Sequence, residues 1–257
     1  MSDVRAPTPT SSVRIGCAGW SIPTRTARLF GAGESHLERY ATRFDVVEIN
    51  SSFYRPHQAK TYRRWADTVP PGFRFSVKLP RQITHEARLA DADRLLGEFL
   101  DQVSGLGPKL GGILVQLPPS LGFDARVAEG FFGMMRRSVD TPIACEPRHS
   151  SWFGIEAAEL WDAFSITRVA ADPARLPEAG TPAGPKSARW SYWRLHGSPR
   201  MYYSSYEDAV LQKLAPQLLQ RGRARSPAWC IFDNTAGGHA VEDAARLQAL
   251  VARDTTP

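Results

Sequence analysis

Ile143-Ala144-Cys145-Glu146-Pro147-Arg148-His149 is a short apolar run that stops in an acid and two bases. Eight apolar or β-branched runs punctuate the chain: Val13–Ile15, Val46–Ile49, Phe73–Val77, Ile113–Leu117, Ile143–Cys145, Thr167–Ala170, Tyr192–Leu195 and Trp229–Phe232. Short runs of this composition read as buried strands. Their starts run from residue 13 to residue 229, a mean step of about 31, close to one strand–helix unit.

Between the runs lie stretches whose apolar residues recur at helical spacing. Residues 35–44 open on Ser35, a good N-cap, and align Leu37, Tyr40, Ala41 and Phe44. Residues 91–103, 124–137, 156–164, 207–219 and 241–251 carry similar stripes. Strands alternating with helices predict a parallel sheet. Eight units in about 240 residues predict an α/β fold with one (β/α)8 barrel of the TIM type over residues 13–252. The alternative, an open doubly wound sheet, lacks its glycine fingerprint after the first strand. Residues 1–12 are polar and Pro/Thr-rich, and read as a disordered tail. Residues 173–189 are Pro/Gly-rich and read as a loop long enough to cover a site.

Of the 257 residues, 42% are hydrophobic and 23% charged, which excludes a disordered or fibrous chain. No apolar stretch approaches the roughly 18 residues that span a bilayer, so no membrane partner is expected. Cys17, Cys145 and Cys230 lie in or beside the apolar runs with no C-x-x-C spacing. They read as buried, reduced thiols, which suits the cytoplasm. The net charge is +6. Residues 189–228 hold seven basic residues (Arg189, Arg194, Arg200, Lys213, Arg221, Arg223, Arg225) against Glu207 and Asp208. Such a field favours an anionic ligand, with nucleic acid as the larger alternative and a merely solvated surface as the plain one.

In a barrel the functional end is the C-terminal end of the strands. There the first run leads to Trp20, the second to Glu48, Asn50 and Tyr54, and the third to Lys78, Arg81 and His85. The fourth gives Gln116; the fifth Glu146, Arg148 and His149; the sixth Asp172; the seventh His196, Arg200 and Tyr203; the eighth Asp233 and Asn234. Glu48, Lys78, His85, Glu146, His149, Asp172 and His196 are the candidate catalytic groups, because mixed acids and bases suit proton transfer. Trp20, Asn50, Tyr54, Arg81, Gln116, Arg148, Arg200, Tyr203 and Asn234 are the candidate substrate contacts. Lys78 reads either as a point charge for an anion, the favoured role, or as a Schiff-base nucleophile.

Glu146, His149 and His196 are candidate ligands for a divalent metal. The competing reading makes Glu146 part of a buried ion network with Arg148 or Lys78. The loops His196–Arg200 and Asn234–His239 suggest either a phosphate cradle or simple tight turns. No nicotinamide or flavin motif occurs. The expected function is an enzyme, a hydrolase or an isomerase, working by hydrolysis or proton transfer on a phosphorylated or nucleotide-like anion. A nucleic-acid-binding or processing protein and a non-catalytic ligand-binding barrel are the alternatives.

Several strand ends resemble one family. Ile15-Gly16-Cys17-Ala18-Gly19-Trp20-Ser21, Val47-Glu48-Ile49-Asn50-Ser51-Ser52-Phe53-Tyr54 and Phe75-Ser76-Val77-Lys78-Leu79-Pro80-Arg81 are similar to the domain of unknown function 72, the YecE-like family. So are Gln116-Leu117-Pro118-Pro119, Glu146-Pro147-Arg148-His149-Ser150-Ser151-Trp152-Phe153, Arg194-Leu195-His196-Gly197 and Phe232-Asp233-Asn234. The resemblance covers about residues 13–250 in order. It implies a TIM-barrel-like fold and no settled activity. Where the family often has two Asn after the eighth strand, this chain has Asp233-Asn234.

Overall fold

Each apolar run forms a strand because alternate side chains find a different dry environment on each face of the sheet. In the computed structural model, residues 13–182, 190–223 and 227–253 are described. The expected tail at 1–12 and part of the expected loop, 183–189, lie outside them, as do Arg225 and Arg189. The strands are β1 (Val13–Ala18), β2 (Val46–Ile49), β3 (Arg74–Lys78), β4 (Leu110–Gln116), β5 (Ile143–Glu146), β6 (Ile166–Arg168), β7 (Ala170–Asp172), β8 (Ser191–Leu195) and β9 (Ala228–Phe232). All pairings are parallel, in the order β6-β5-β4-β3-β2-β1-β9-β8-β7.

The helices are α1 (His36–Ala41), α2 (Ala59–Thr68), α3 (Asp93–Val103), α4 (Ala125–Ser138), α5 (Ile155–Ala163), α6 (Asp208–Arg223) and α7 (Ala240–Arg253). Ser35 caps α1 as its sequence suggests: its hydroxyl accepts from Glu38 N, and Glu38 reaches back to Ser35 N. The nine strands form a nearly closed barrel with helices between them. The sixth predicted run corresponds to two strands, β6 and β7, which hand over at Val169. Ile166–Arg168 pairs with β5, and Ala170–Asp172 pairs with β8. Helix α2 is an addition to the sequence reading.

Side-chain alternation sets the layers. Along β8, Trp193 and Leu195 face the helices while Tyr192 faces the barrel interior. Arg194 shares the interior side and reaches across it to Glu48. The lower interior is dry, packed by Trp190, Trp229, Tyr192, Val46, Leu114 and Ile231. The Trp190 and Trp229 rings meet edge-on at 4.8 Å. A Cβ on Gly112 of β4 would sit 2.2 Å from the Trp190 ring, so glycine leaves the place that this plug fills. Cys17, Cys145 and Cys230 are buried free thiols. Burial pushes the Cys17 thiol up to about 12 and the other two well above the ordinary thiol range. Among the described residues no helix is long and apolar enough to cross a membrane.

Candidate functional site

Above the dry plug the interior turns ionic. Arg194, fully buried, lies between three carboxylates from three strands. Its Nε and Nη2 donate to Glu48 Oε2 and Oε1 at 3.0 and 2.8 Å. Its Nη1 donates to Glu146 Oε2 at 2.5 Å and its Nη2 to Asp233 Oδ2 at 2.9 Å. Only a planar guanidinium offers this fork of donors. Below, Tyr192 donates to Glu48 Oε2 at 2.9 Å, and the Ser76 hydroxyl lies 2.7 Å from that tyrosine oxygen.

His196 closes the cluster from above. Its Nδ1 lies 3.1 Å from Asp233 Oδ2 and its Nε2 lies 3.3 Å from Glu146 Oε1. The Nε2 contact falls outside hydrogen-bond geometry. Arg148 stands over the same carboxylate, with Nε and Nη2 at 2.8 and 2.7 Å from Glu146 Oε1. The Tyr202 ring packs edge-on over His196 at 5.5 Å, and its hydroxyl accepts from Arg148 Nη2 at 3.5 Å. Tyr202 holds that place at φ +69°, a conformation few non-glycine residues adopt.

Burial alone would raise the Glu146 carboxyl, but Arg194, Arg148 and His196 outweigh it and hold it well below the ordinary range. Asp233 moves down in the same way, through Arg194 and His196. Burial would lower His196, but the charge of Glu146 and the hydrogen bond of Asp233 lift it instead.

Lys78 is treated differently. It is buried at the end of β3, with its Nζ 4.0 Å from the centre of the Phe53 ring. Among the described residues no carboxylate oxygen lies within 4.0 Å of that Nζ. Burial, then the nearby Arg194 charge, push its pKa down to about 8, with Glu48, Asp233 and Glu146 resisting. Ser52 pins the turn that carries Phe53, donating to Ile49 O at 3.0 Å and to Lys78 O at 2.6 Å. His85 meets the Phe53 ring edge-on at 5.0 Å, its Nδ1 held 2.8 Å from Thr84 Oγ1. Burial and the charges of Lys78, Arg81 and Arg148 lower its pKa, so its ring is neutral at pH 7.

The barrel thus gathers Glu48, Lys78, Glu146, Arg148 and His196, with His85 near Lys78. Gln116 is buried beside Glu146 in register, and its amide donates to Leu117 O at 2.8 Å. A narrow crevice opens beside Glu146, Arg148 and His196, walled by Phe153, Pro173, Leu176 and Met201. Asn50 and Trp20 line a second opening with Ser21 and His36, and Trp20 meets Trp65 edge-on at 5.0 Å.

Other candidates lie elsewhere. His149 caps the turn Ser150–Phe153: its Nδ1 accepts from Ser151 N at 3.3 Å and lies 2.8 Å from Ser151 Oγ. Asp172 is half-buried and outside the ion cluster; its main-chain carbonyl accepts from His196 N and the Tyr206 hydroxyl. Asn234 is fully buried, and its amide donates to Ser204 O at 2.9 Å and to Asp243 Oδ2 at 2.7 Å. Arg81 is exposed and paired with Glu86 at 3.1 Å. Tyr54 is exposed, as is Tyr203, on which the Arg200 guanidinium stacks at 4.2 Å.

Two regional expectations change. Arg194 belongs to the interior, so the basic excess of 189–228 loses a charge from the surface. In the 234–239 loop, the amides of Ala236 and Gly237 donate to Tyr202 O, that of Gly238 to Thr235 O and that of His239 to Asn234 O. These four amides serve the turn itself. The metal expectation meets a guanidinium where the three carboxylates converge. Among the described residues no group of three or more His, Cys, Asp or Glu is arranged to hold a metal ion.

Arg194, Tyr192, Ser76 and Tyr202 are additions to the predicted set, and Asp233 moves to its centre. The signal for Arg194 is its period: Tyr192, Arg194 and His196 alternate with Trp193 and Leu195.

A family model described as "Protein of unknown function DUF72" matches residues 14–257. UPF0759 protein YecE of Escherichia coli K12 is 37% identical over 110 residues, which are 43% of this chain and 39% of that protein. The match therefore spans about two fifths of that relative's length. UPF0759 protein YunF of Bacillus subtilis 168 is 23% identical over 93% of this chain and 94% of its own. Two solved DUF72 family proteins share the fold. That of Thermotoga maritima MSB8 has a TM-score of 0.76 at 23% identity, over 93% of this chain and 99% of its own. That of Enterococcus faecalis V583 has a TM-score of 0.74 at 21% identity, over 95% and 99%. With a family match over nearly its whole length and the same barrel in both solved relatives, this chain belongs to the DUF72 family.

Proposed function

We propose that the chain is an enzyme whose mouth binds a small anion and performs a proton transfer or a hydrolysis on it. The observation that carries this reading is Lys78: a buried amine at a strand end, with no carboxylate oxygen within 4.0 Å among the described residues, whose pKa burial pushes down to about 8. Arg194 and Arg148 spend their charge on Glu48, Glu146 and Asp233, whereas Lys78, at the C-terminal end of β3, is in no ion pair among the described residues. An anion seated there gains a desolvated cation. His196, between two carboxylates, is placed to carry a proton, and the Glu146–Arg194–Asp233 frame fixes its ring.

The test is a thermal-shift titration at constant ionic strength with inorganic phosphate, sugar phosphates, nucleoside monophosphates and small carboxylates. At least one class raises the melting temperature of the wild type saturably. Lys78→Met abolishes the shift, and Lys78→Arg, which keeps the charge, retains part of it. No saturable shift with any class removes the anion reading. The larger alternative, nucleic acid, keeps Arg200 on the exposed Tyr203 ring as its support. An oligonucleotide in the same titration decides it, because binding through phosphates weakens steeply with salt.

A further inference from the structure

We infer that the Lys78 amine is a nucleophile, and that the anion it receives carries an aldehyde or ketone carbonyl with which it condenses to a protonated imine. This rests on the reading of the mouth as an anion site and names the class of anion. Four features around Lys78 converge on it.

The amine is buried and has no carboxylate within 4.0 Å among the described residues. An amine locked in an ion pair would keep its proton; this one is free to lose it. At pH 7 a lysine of pKa about 8 holds roughly two orders of magnitude more free base than an ordinary lysine. The ring of Phe53 lies face-on at 4.0 Å, and its π-face favours a cation on that nitrogen. A protonated imine is also a cation on that nitrogen, so the ring supports the adduct as well as the ammonium. The ring cannot swing away easily, because Ser52 ties its turn to the carbonyl of Lys78 itself. Finally, His85, neutral at pH 7, meets the Phe53 ring edge-on at 5.0 Å, and the carboxylates of Glu48, Glu146 and Asp233 supply the surrounding negative charge.

The step balances without a further reactant. The neutral amine attacks the carbonyl carbon, and its nitrogen–carbon bond forms as the carbonyl π pair moves to oxygen. Two protons reach that oxygen, it leaves as water, and the nitrogen keeps one proton as the iminium. Ammonium plus carbonyl therefore gives iminium plus water. The iminium withdraws electrons from the adjacent carbon, which is the proton-transfer chemistry proposed for this mouth.

The experiment is reductive trapping on the full chain. Wild type is incubated at pH 7 with glyoxylate and sodium cyanoborohydride, and adducts are mapped by peptide mass spectrometry. The chain has five lysines, and Lys60 and Lys213 are exposed references. The expected result is labelling of Lys78 at least about tenfold faster than of Lys60 or Lys213, given its larger share of free base. As pH rises from 7 to 10 that preference shrinks, because the exposed lysines deprotonate; this readout needs no variant. Lys78→Arg loses the adduct while retaining part of its response to the anion panel. Adducts spread evenly over the lysines, or absent from Lys78, overturn the inference, and an intact anion response then leaves the broader reading standing. Propanal, a neutral aldehyde, separates the two ideas from the other side. If it labels Lys78 as fast as glyoxylate does, the nucleophile stands and the anion site falls.

Discussion

Arg194 and Glu48 face each other across the barrel from β8 and β2, and the guanidinium meets both carboxylate oxygens, at 3.0 and 2.8 Å. Neither residue is exposed. The same guanidinium also serves Glu146 and Asp233, so one cation holds three strand ends together. Arg194→Met leaves three buried carboxylates without their central cation. The expected loss is about 3–5 kcal/mol in urea unfolding, as for a broken buried ion pair. Arg194→Lys recovers little, because an ammonium cannot span three carboxylates. A loss below about 1 kcal/mol, the ordinary cost of a point substitution, contradicts this account.

The cluster also sets a pH profile. Glu146 and Asp233 have depressed folded pKa values, so their stabilisation is present above the unfolded carboxylate range and is lost as pH falls below it. His196 has a raised folded pKa, so its stabilisation is complete below its unfolded value of 6.5 and is lost as pH rises through the folded one. The contribution of this cluster is therefore largest between the carboxylate range and pH 6.5, while the lowered His57, His85 and Lys78 contribute in the opposite direction as pH rises. Urea midpoints at pH 5, 6, 7 and 8 check it: the advantage of wild type over His196→Gln shrinks from pH 6 to 8. An advantage of wild type over His196→Gln that stays constant or grows from pH 6 to 8 refutes the assignment.

Gly112→Ala drives a methyl group into the Trp190 ring at 2.2 Å, and Trp190 is backed by Trp229. Overpacking of this kind costs about 1–3 kcal/mol. A differential scan of the variant shows a lowered melting temperature, while the anion response at the other end of the barrel persists. An unchanged melting temperature means that the floor is looser than its packing implies.

Asn234→Ala separates brace from binder. Its amide ties the loop after β9 to Ser204 O and to Asp243, which also accepts from Ser205, from Tyr206 N and from Arg246. Removing it leaves buried acceptors short of a donor, at a cost of about 1–3 kcal/mol. The concentration of anion that half-saturates the thermal shift stays the same. A tenfold weaker response would return Asn234 to the binding surface.

Strand positions were legible because a buried parallel strand needs an unbroken apolar run. Helix α2 was not, because Ala59–Thr68 carries only Tyr62, Trp65 and Ala66 as apolar anchors among charged neighbours. The site was legible where a polar residue ends a run, as Lys78, Glu146 and His196 do. Arg194 escaped because it sits within a run, where an isolated charge reads as an exception to the strand. His149 and Asn234 show the opposite failure. Both follow runs as functional residues do, yet His149 caps a turn and Asn234 braces one. Residue type and position are shared by caps, braces and ligands, and only the partner distinguishes them.

The handover at Val169 interrupts the ladder on the side of the barrel where the crevice opens. Val169 N still donates to Cys145 O at 2.8 Å, but no ladder pairing joins β5 to β7 among the described residues. Pro147 and Arg148, which follow β5, and Ala171 and Pro173, on and after β7, form the walls of the crevice beside His196. The crevice is therefore bounded at this point by main-chain ends and side chains from two strands that share no ladder pairing among the described residues, and its width is set by side-chain packing.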